Sequence, residues 1–250
     1  MLKVEGLVKR FGGFTAVSNV SFKVDAGEIL GLIGPNGSGK STVFNVLSGT
    51  LAPTSGSIKF LGREIIGLPA HRIAHGGIGR TFQIPRPFKR LSLLENVAVA
   101  GYYARQLSRA KALETAERTL GLVGLPTSQS TRVDGLGAAG LKKLELAKAL
   151  ATDPKLLLAD ESLSGLDEAE MVQTAALLRK VRDEYGITII WVEHIMGVLM
   201  PVVDRVIVLD YGEKIAEGTP SEVARNPRVI EVYLGTEAAS ARVAAEAVRP

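Results

Sequence analysis

The residues best suited to chemistry are Gly34-Pro35-Asn36-Gly37-Ser38-Gly39-Lys40-Ser41, which fit the pattern G-x-x-x-x-G-K-[ST]. Glycines at these positions let the backbone wrap tightly and aim several N–H groups at phosphate oxygens, at the positive end of a following helix. Lys40 adds a positive charge for the β- and γ-phosphates, and the Ser41 hydroxyl is a ligand for Mg²⁺. A second group, Asp160-Glu161, follows the apolar run Leu156 to Ala159. Acids at the C-terminal end of a buried strand stand where α/β proteins bind ligands. There Asp160 would hold Mg²⁺ and Glu161 would orient or deprotonate an attacking water. Together the two motifs predict binding and hydrolysis of ATP. Other signals are weaker. His194 follows a second apolar run, and taken alone it is most simply a structural or exposed histidine. His71 and His75 have a spacing that suits a metal, but no third ligand accompanies them. Trp191 reads as a core residue.

These groups need elements to position them. Ile29 to Ile33 reads as a buried strand, and apolar residues recur at helical spacing from Gly39 to Leu47. Strand, glycine loop and helix is the context that the phosphate pattern requires. Val20 to Val24 alternates as a strand does. From about Leu91 to Leu150 the pattern is helical, with Leu141, Leu144, Ala147 and Leu150 on one face. After Asp153-Pro154 strands and helices alternate again: Leu156 to Ala159, a helix through Tyr185, then Ile187 to Val192. Strands Arg205 to Leu209 and Lys214 to Ala216 follow, joined by the Asp210-Tyr211-Gly212 turn. The expected fold is an α/β core, residues 1–88 and 152–235, interrupted by an all-helical insert, 89–151. The alanine-rich tail, 236–250, is expected to be a marginal helix or disordered.

Composition bounds the class. With 46% hydrophobic and 22% charged residues over 250 positions, the chain is an ordinary globular mixture. No apolar run approaches the ~20 residues of a membrane helix. Glu5, Lys9 and Arg10 interrupt anything resembling a cleavable signal. With no cysteine, disulfides and thiolate metal sites are excluded. A soluble, cytosolic chain is expected. The net charge of +4 is spread unevenly: Arg80, Arg86, Lys89, Arg90, Arg105, Arg109 and Lys111 face only Glu95 within their segment. Such a cluster suits nucleic acid, anionic lipid or an acidic partner. Aromatics are 5% and no RNA-type motif is present, which disfavours nucleic acid.

From Lys3 to about Gly235 the chain resembles the ATP-binding subunits of ABC transporters. Beyond the two motifs above, the resemblance rests on Lys9-Arg10-Phe11-Gly12-Gly13, Arg80-Thr81-Phe82-Gln83, Ser164-Gly165-Leu166-Asp167 and His194, in that order. It implies a P-loop ATPase core of ABC type, with an antiparallel β region on its N-terminal side and the helical insert. It also implies that Phe11 stacks on adenine, that Val17 and Thr42 join the phosphate loop at the nucleotide, and that Gln83 touches Mg²⁺ and the attacking water. His194 would contact the γ-phosphate, and Ser164 to Asp167 would communicate across a dimer. Longer matches are finer. The stretch Gly79 to Leu91, the segments Val192 to Met196 and Tyr211 to Pro220, and the ending Pro227 to Gly235 resemble one ATPase subunit of branched-chain (hydrophobic) amino acid importers.

That resemblance implies ATP and Mg²⁺ as cofactors and a head-to-tail pairing with a second ATPase subunit, in a heterodimer. It further implies two permease subunits gripped by the helical insert, an indirect link to a periplasmic binding protein, no nucleic acid, and a peripheral position on the cytoplasmic face of the inner membrane. One element departs from the family. Where the family has Leu-Ser-Gly-Gly-Gln or a relative, this chain has Leu136-Gly137-Ala138-Ala139-Gly140, a degenerate signature. A soluble ABC protein of repair or translation is the alternative, but it would carry coiled-coil inserts or two fused ATPase units. A P-loop kinase would need an acceptor-binding segment that is not recognisable.

Overall fold

The computed structural model describes residues 1–233. The tail considered above, 236–250, lies outside the described residues. In chain order the elements are β1 (Leu2–Phe11), β2 (Phe14–Val24), β3 (Ile29–Ile33), α1 (Lys40–Leu47), β4 (Ser55–Phe60), β5 (Arg63–Glu64), α2 (Ala70–His75) and β6 (Ile78–Arg80). Then come α3 (Leu93–Arg105), α4 (Arg109–Leu122), α5 (Ala138–Ala151), β7 (Leu156–Asp160), α6 (Glu168–Tyr185), β8 (Thr188–Val192) and α7 (Met196–Leu199). β9 (Arg205–Asp210), β10 (Glu213–Gly218) and α8 (Pro220–Arg225) complete the described order.

Two sheets form. The antiparallel one has the order β2-β1-β4-β5; the other has the order β10-β9-β3-β8-β7-β6. In the second, β9, β3, β8, β7 and β6 run parallel and β10 pairs antiparallel with β9 at the edge. Strands buried on both faces read as continuous apolar runs. Side chains alternate across a pleat, so each run splits between two cores. Ile29, Ile33, Leu157, Ala159, Ile189 and Trp191 face the helices. Leu30, Leu32, Leu156, Leu158, Ile190 and Val192 face α1 and the antiparallel sheet. The central sheet is therefore held from both sides, and whatever its strand ends carry is fixed.

The insert is three helices packed on one another. Its Leu93, Val97, Ala116, Leu120, Leu144 and Ala147 belong to the same apolar cluster as one face of the central sheet. Ser92 and Glu95 close a capping box at the start of α3. The single apolar face expected on α5 is broader: Leu144, Glu145, Leu146, Ala147, Ala149, Leu150 and Ala151 are all buried, because α3, α4 and the core enclose the helix. Among the described residues no helix is long and apolar enough to cross a membrane.

Candidate active site

The phosphate loop runs from the end of β3 to the start of α1. Gly34, Gly37 and Gly39 have φ of 152°, 81° and 100°, a region that side-chain-bearing residues rarely adopt. A Cβ at Gly34 would stand 2.2 Å from the Leu209 carbonyl oxygen, and one at Gly39 would stand 2.5 Å from that of Ala16. Only glycine fits these turns. Lys40 Nζ donates to the carbonyls of Gly34 and Pro35 at 2.8 and 2.9 Å. Burial lowers the Lys40 pKa, and the charges of Glu161 and Asp160 oppose that effect. The Ser38 hydroxyl is buried without a hydrogen-bond partner. A buried polar atom left unpaired is costly, and here it stands beside glycine N–H groups at a helix N-terminus. The donor set and the cradle fit a polyphosphate.

An open pocket of about 270 Å³ joins this loop to Phe11, Phe14, Ala16, Ser41, Thr42 and Glu161. Phe11 is half exposed and lies under Lys9, whose Nζ is 5.0 Å from the ring centroid. Val17, expected at the nucleotide, is fully buried. Ala16, at a register irregularity between β2 and β1, lines the pocket, and the Val17 side chain packs close to Gly39.

The two acids end β7. Asp160 is buried, and one of its carboxylate oxygens accepts from Arg80 at 2.8 Å. Arg80 also donates to Asn45 and Ser48 at 2.8 Å each, which joins the acid to α1. Asp160 N–H donates to the Thr81 hydroxyl. Glu161 has φ of 41°. Its N–H donates to the Val192 carbonyl at 3.0 Å. Gln83 Nε2 donates to Glu161 Oε2 in a short contact, so the structure brings these two expected residues together. His194 stands just past the end of β8, with its side chain about half exposed. The preceding Glu193 is fully buried. It accepts from Leu163 N–H at 2.8 Å, and burial pushes its pKa up.

The remaining expected residues are less uniform. Leu166 of the segment Ser164 to Asp167 is buried, and Asp167 caps α6 by accepting from Glu170 N–H at 2.8 Å. The segment Leu136 to Gly140 leads into α5 with Gly137 as its N-cap, and no side chain caps the helix. The basic segment is less unpaired than its sequence implied. Arg80 is turned inward onto Asp160, and Arg105 pairs with Asp153 at 3.1 Å; both acids come from outside the window counted. Between the remaining charges lie exposed Phe82, Ile84, Phe88, Tyr102 and Tyr103. Three residues not singled out in the sequence matter here: Phe14 in the pocket, Glu193 beneath His194, and Lys142, whose Nζ donates to the Gln83 and Glu161 carbonyls. No group of acids and histidines among the described residues forms a metal cluster, His71 and His75 included.

The ABC transporter family matches residues 17–164, and the branched-chain amino acid ATP-binding cassette transporter family matches residues 213–239. The high-affinity branched-chain amino acid transport ATP-binding protein BraF of Pseudomonas aeruginosa is 38% identical over 249 residues, covering 94% of this chain and 98% of its own. Its counterpart LivG of Escherichia coli is 36% identical with the same coverage. Among solved structures, an ATP-binding cassette of an ABC transporter in its ADP conformation superposes with a TM-score of 0.83 at 31% identity, covering 94% of this chain and 98% of that one. A dimeric bacterial ABC transporter cassette superposes with a TM-score of 0.80 at 26% identity, covering 88% and 99%.

Proposed function

The chain belongs to the family of ABC transporter ATP-binding subunits, and from that premise we propose that it powers import of branched-chain amino acids or related small molecules through a membrane permease. The observation that carries this reading is the convergence on one pocket of the phosphate loop, Phe11 and Glu161, with Gln83 bound to Glu161. In this reading Phe11 stacks on adenine, and the loop Gly34 to Thr42, through its backbone N–H groups other than at Pro35, holds the phosphates together with the Lys40 ammonium. Ser41, Gln83 and Asp160 would hold Mg²⁺, which when bound would neutralise phosphate charge. Glu161 accepts a proton from the attacking water, Gln83 orients it, and His194 donates to the γ-phosphate.

Residues 1–88 and 152–235 act as the ATP-binding core and 89–151 as a lever. The chain pairs head-to-tail with a second ATPase subunit, and Ser164 to Asp167 lies at that junction. The pair is a heterodimer beneath two permease subunits on the cytoplasmic face, supplied by a periplasmic binding protein. Exposed aromatics between Arg86, Lys89, Arg90 and Arg109 support protein docking over phosphate binding. The segment Leu136 to Gly140 supplies a weak signature to the opposite site. The test is copurification with the permease. Reversing the charges of Arg86 and Arg90 should release the chain from it, whereas tight, salt-sensitive binding to DNA would contradict the reading.

A further inference from the structure

We propose that Lys142 is a positioning residue that ties the first turns of α5 to the reacting pair Gln83 and Glu161, so that movement of the helical insert reaches both together. The inference rests on the reading of Glu161 as the group that activates water.

Lys142 follows Gly140 by two positions on α5. Its Nζ donates to the Gln83 carbonyl at 2.5 Å and to the Glu161 carbonyl at 2.9 Å. Those carbonyls belong to segments far apart in sequence, one after β6 and one after β7. Their side chains are also joined to each other through Gln83 Nε2 and Glu161 Oε2. Gln83 and Glu161 are thus linked twice, by their side chains and by one shared ammonium. That ammonium comes from the helix that carries the signature segment.

Glu161 needs such support. Its φ of 41° is a left-handed conformation that a side-chain-bearing residue holds only when its surroundings impose it. The N–H is fixed by Val192 at 3.0 Å, and the carbonyl is fixed chiefly by Lys142, with Ser164 N–H at a longer 3.4 Å. Hydrogen bonds from an ionised donor are roughly twice as strong as neutral ones. A half-buried ammonium is costly to desolvate, and burial does lower the Lys142 pKa. The carboxylates of Glu193, Glu161, Asp160 and Glu145 offset that cost. A lysine placed only for surface solvation would have no reason to reach two main-chain carbonyls inside the site.

The experiment compares Lys142→Met, Lys142→Arg and Glu161→Gln in the assembled transporter, measuring ATP affinity by titration and turnover by phosphate release. Misplacing a reacting group by about 1 Å costs on the order of a hundredfold in rate. Lys142→Met should therefore lower kcat by about tenfold to a hundredfold while ATP affinity stays within about twofold. Lys142→Arg should recover most of the rate. Should Lys142→Met fail to fold, Lys142→Gln, which keeps N–H donors without charge, carries the same comparison. Wild-type turnover in the methionine variant, parallel loss of affinity and rate, or an arginine variant no better than methionine would overturn the proposal. Normal turnover in Glu161→Gln would instead overturn the reading on which it rests.

Discussion

The phosphate loop and the segment Leu136 to Gly140 lie in one chain yet are built differently. The loop leaves a strand buried on both faces, and its shape is enforced by three glycines in conformations that other residues rarely adopt. The acids facing it stand at the end of β7, which is equally buried and lies one strand beyond β8 in the same sheet. The segment Leu136 to Gly140 depends on the first turn of a helix. Gly137, Ala138, Ala139 and Gly140 bring no polar side chain, and α5 starts without a side-chain cap. A Cβ on Gly140 would stand 2.9 Å from Leu136 Cδ2, so Leu136 folds over the place where a longer side chain would project. Within the function proposed above, the contrast is the basis for assigning this chain a complete ATP-binding half and a poor complement to its partner's half.

The largest expected effect is at Lys40. Lys40→Ala removes the charge aimed at the phosphates, and hydrogen bonds to charged groups contribute about 1.5–3 kcal/mol. ATP affinity should fall tenfold or more on titration, and an unchanged Kd would remove the loop from the account. Next is a matched pair of glycines. Gly39→Ala forces φ of 100° and a 2.5 Å contact on a methyl-bearing residue, which should cost about 1–3 kcal/mol in urea unfolding. Gly137→Ala, at φ of −73° with open space around it, should cost less, about 1 kcal/mol at most, from the poorer N-cap alone. Equal costs would erase the contrast.

A smaller effect concerns Glu193. Its pKa is raised in the fold by burial, so the native state favours the protonated form more than the unfolded chain does. Its contribution to stability is then greatest below the ordinary glutamate value of about 4.3 and falls as pH rises through the raised value. Glu193→Gln should flatten that part of the stability profile, measured by unfolding between acid and neutral pH. A profile unchanged by the substitution would contradict the burial argument.

Much of this was legible in the sequence because it is local. The phosphate pattern carries its own geometry, and the apolar runs Ile29 to Ile33 and Leu156 to Ala159 had to be strands enclosed on both faces. Contacts between distant segments were not legible. Arg80 looked like one of a row of free cations, since Asp160 lies 80 positions away. Lys142 did not stand out, because Gln83 and Glu161 meet it only through the packing of α5 against the sheet. Val17 and Ala16 are neighbours in one strand, and which of them lines the pocket depends on a register irregularity between β2 and β1 that the sequence does not announce. The resemblance at the C-terminal ending gave no hint that the Tyr233 hydroxyl would be buried close to the Gly34 backbone, its pKa pushed up to about 12.

The proposed inequality of the two halves is tested most directly by disabling each subunit's catalytic glutamate in turn within the proposed heterodimer and measuring ATP hydrolysis. Under the proposed head-to-tail pairing, Glu161 would serve the site whose signature comes from the partner, whereas the partner's glutamate would serve the site completed by Gly137 to Gly140. Removing one oxyanion-type donor costs about 2.7–4 kcal/mol of transition-state stabilisation, so the site relying on the degenerate segment should already turn over slowly. Glu161→Gln should then abolish most of the activity, a loss of about a hundredfold or more, and the equivalent change in the partner should leave most of it. Equal losses from the two substitutions would show that Leu136 to Gly140 works as a signature, and the account of an unequal pair would be wrong.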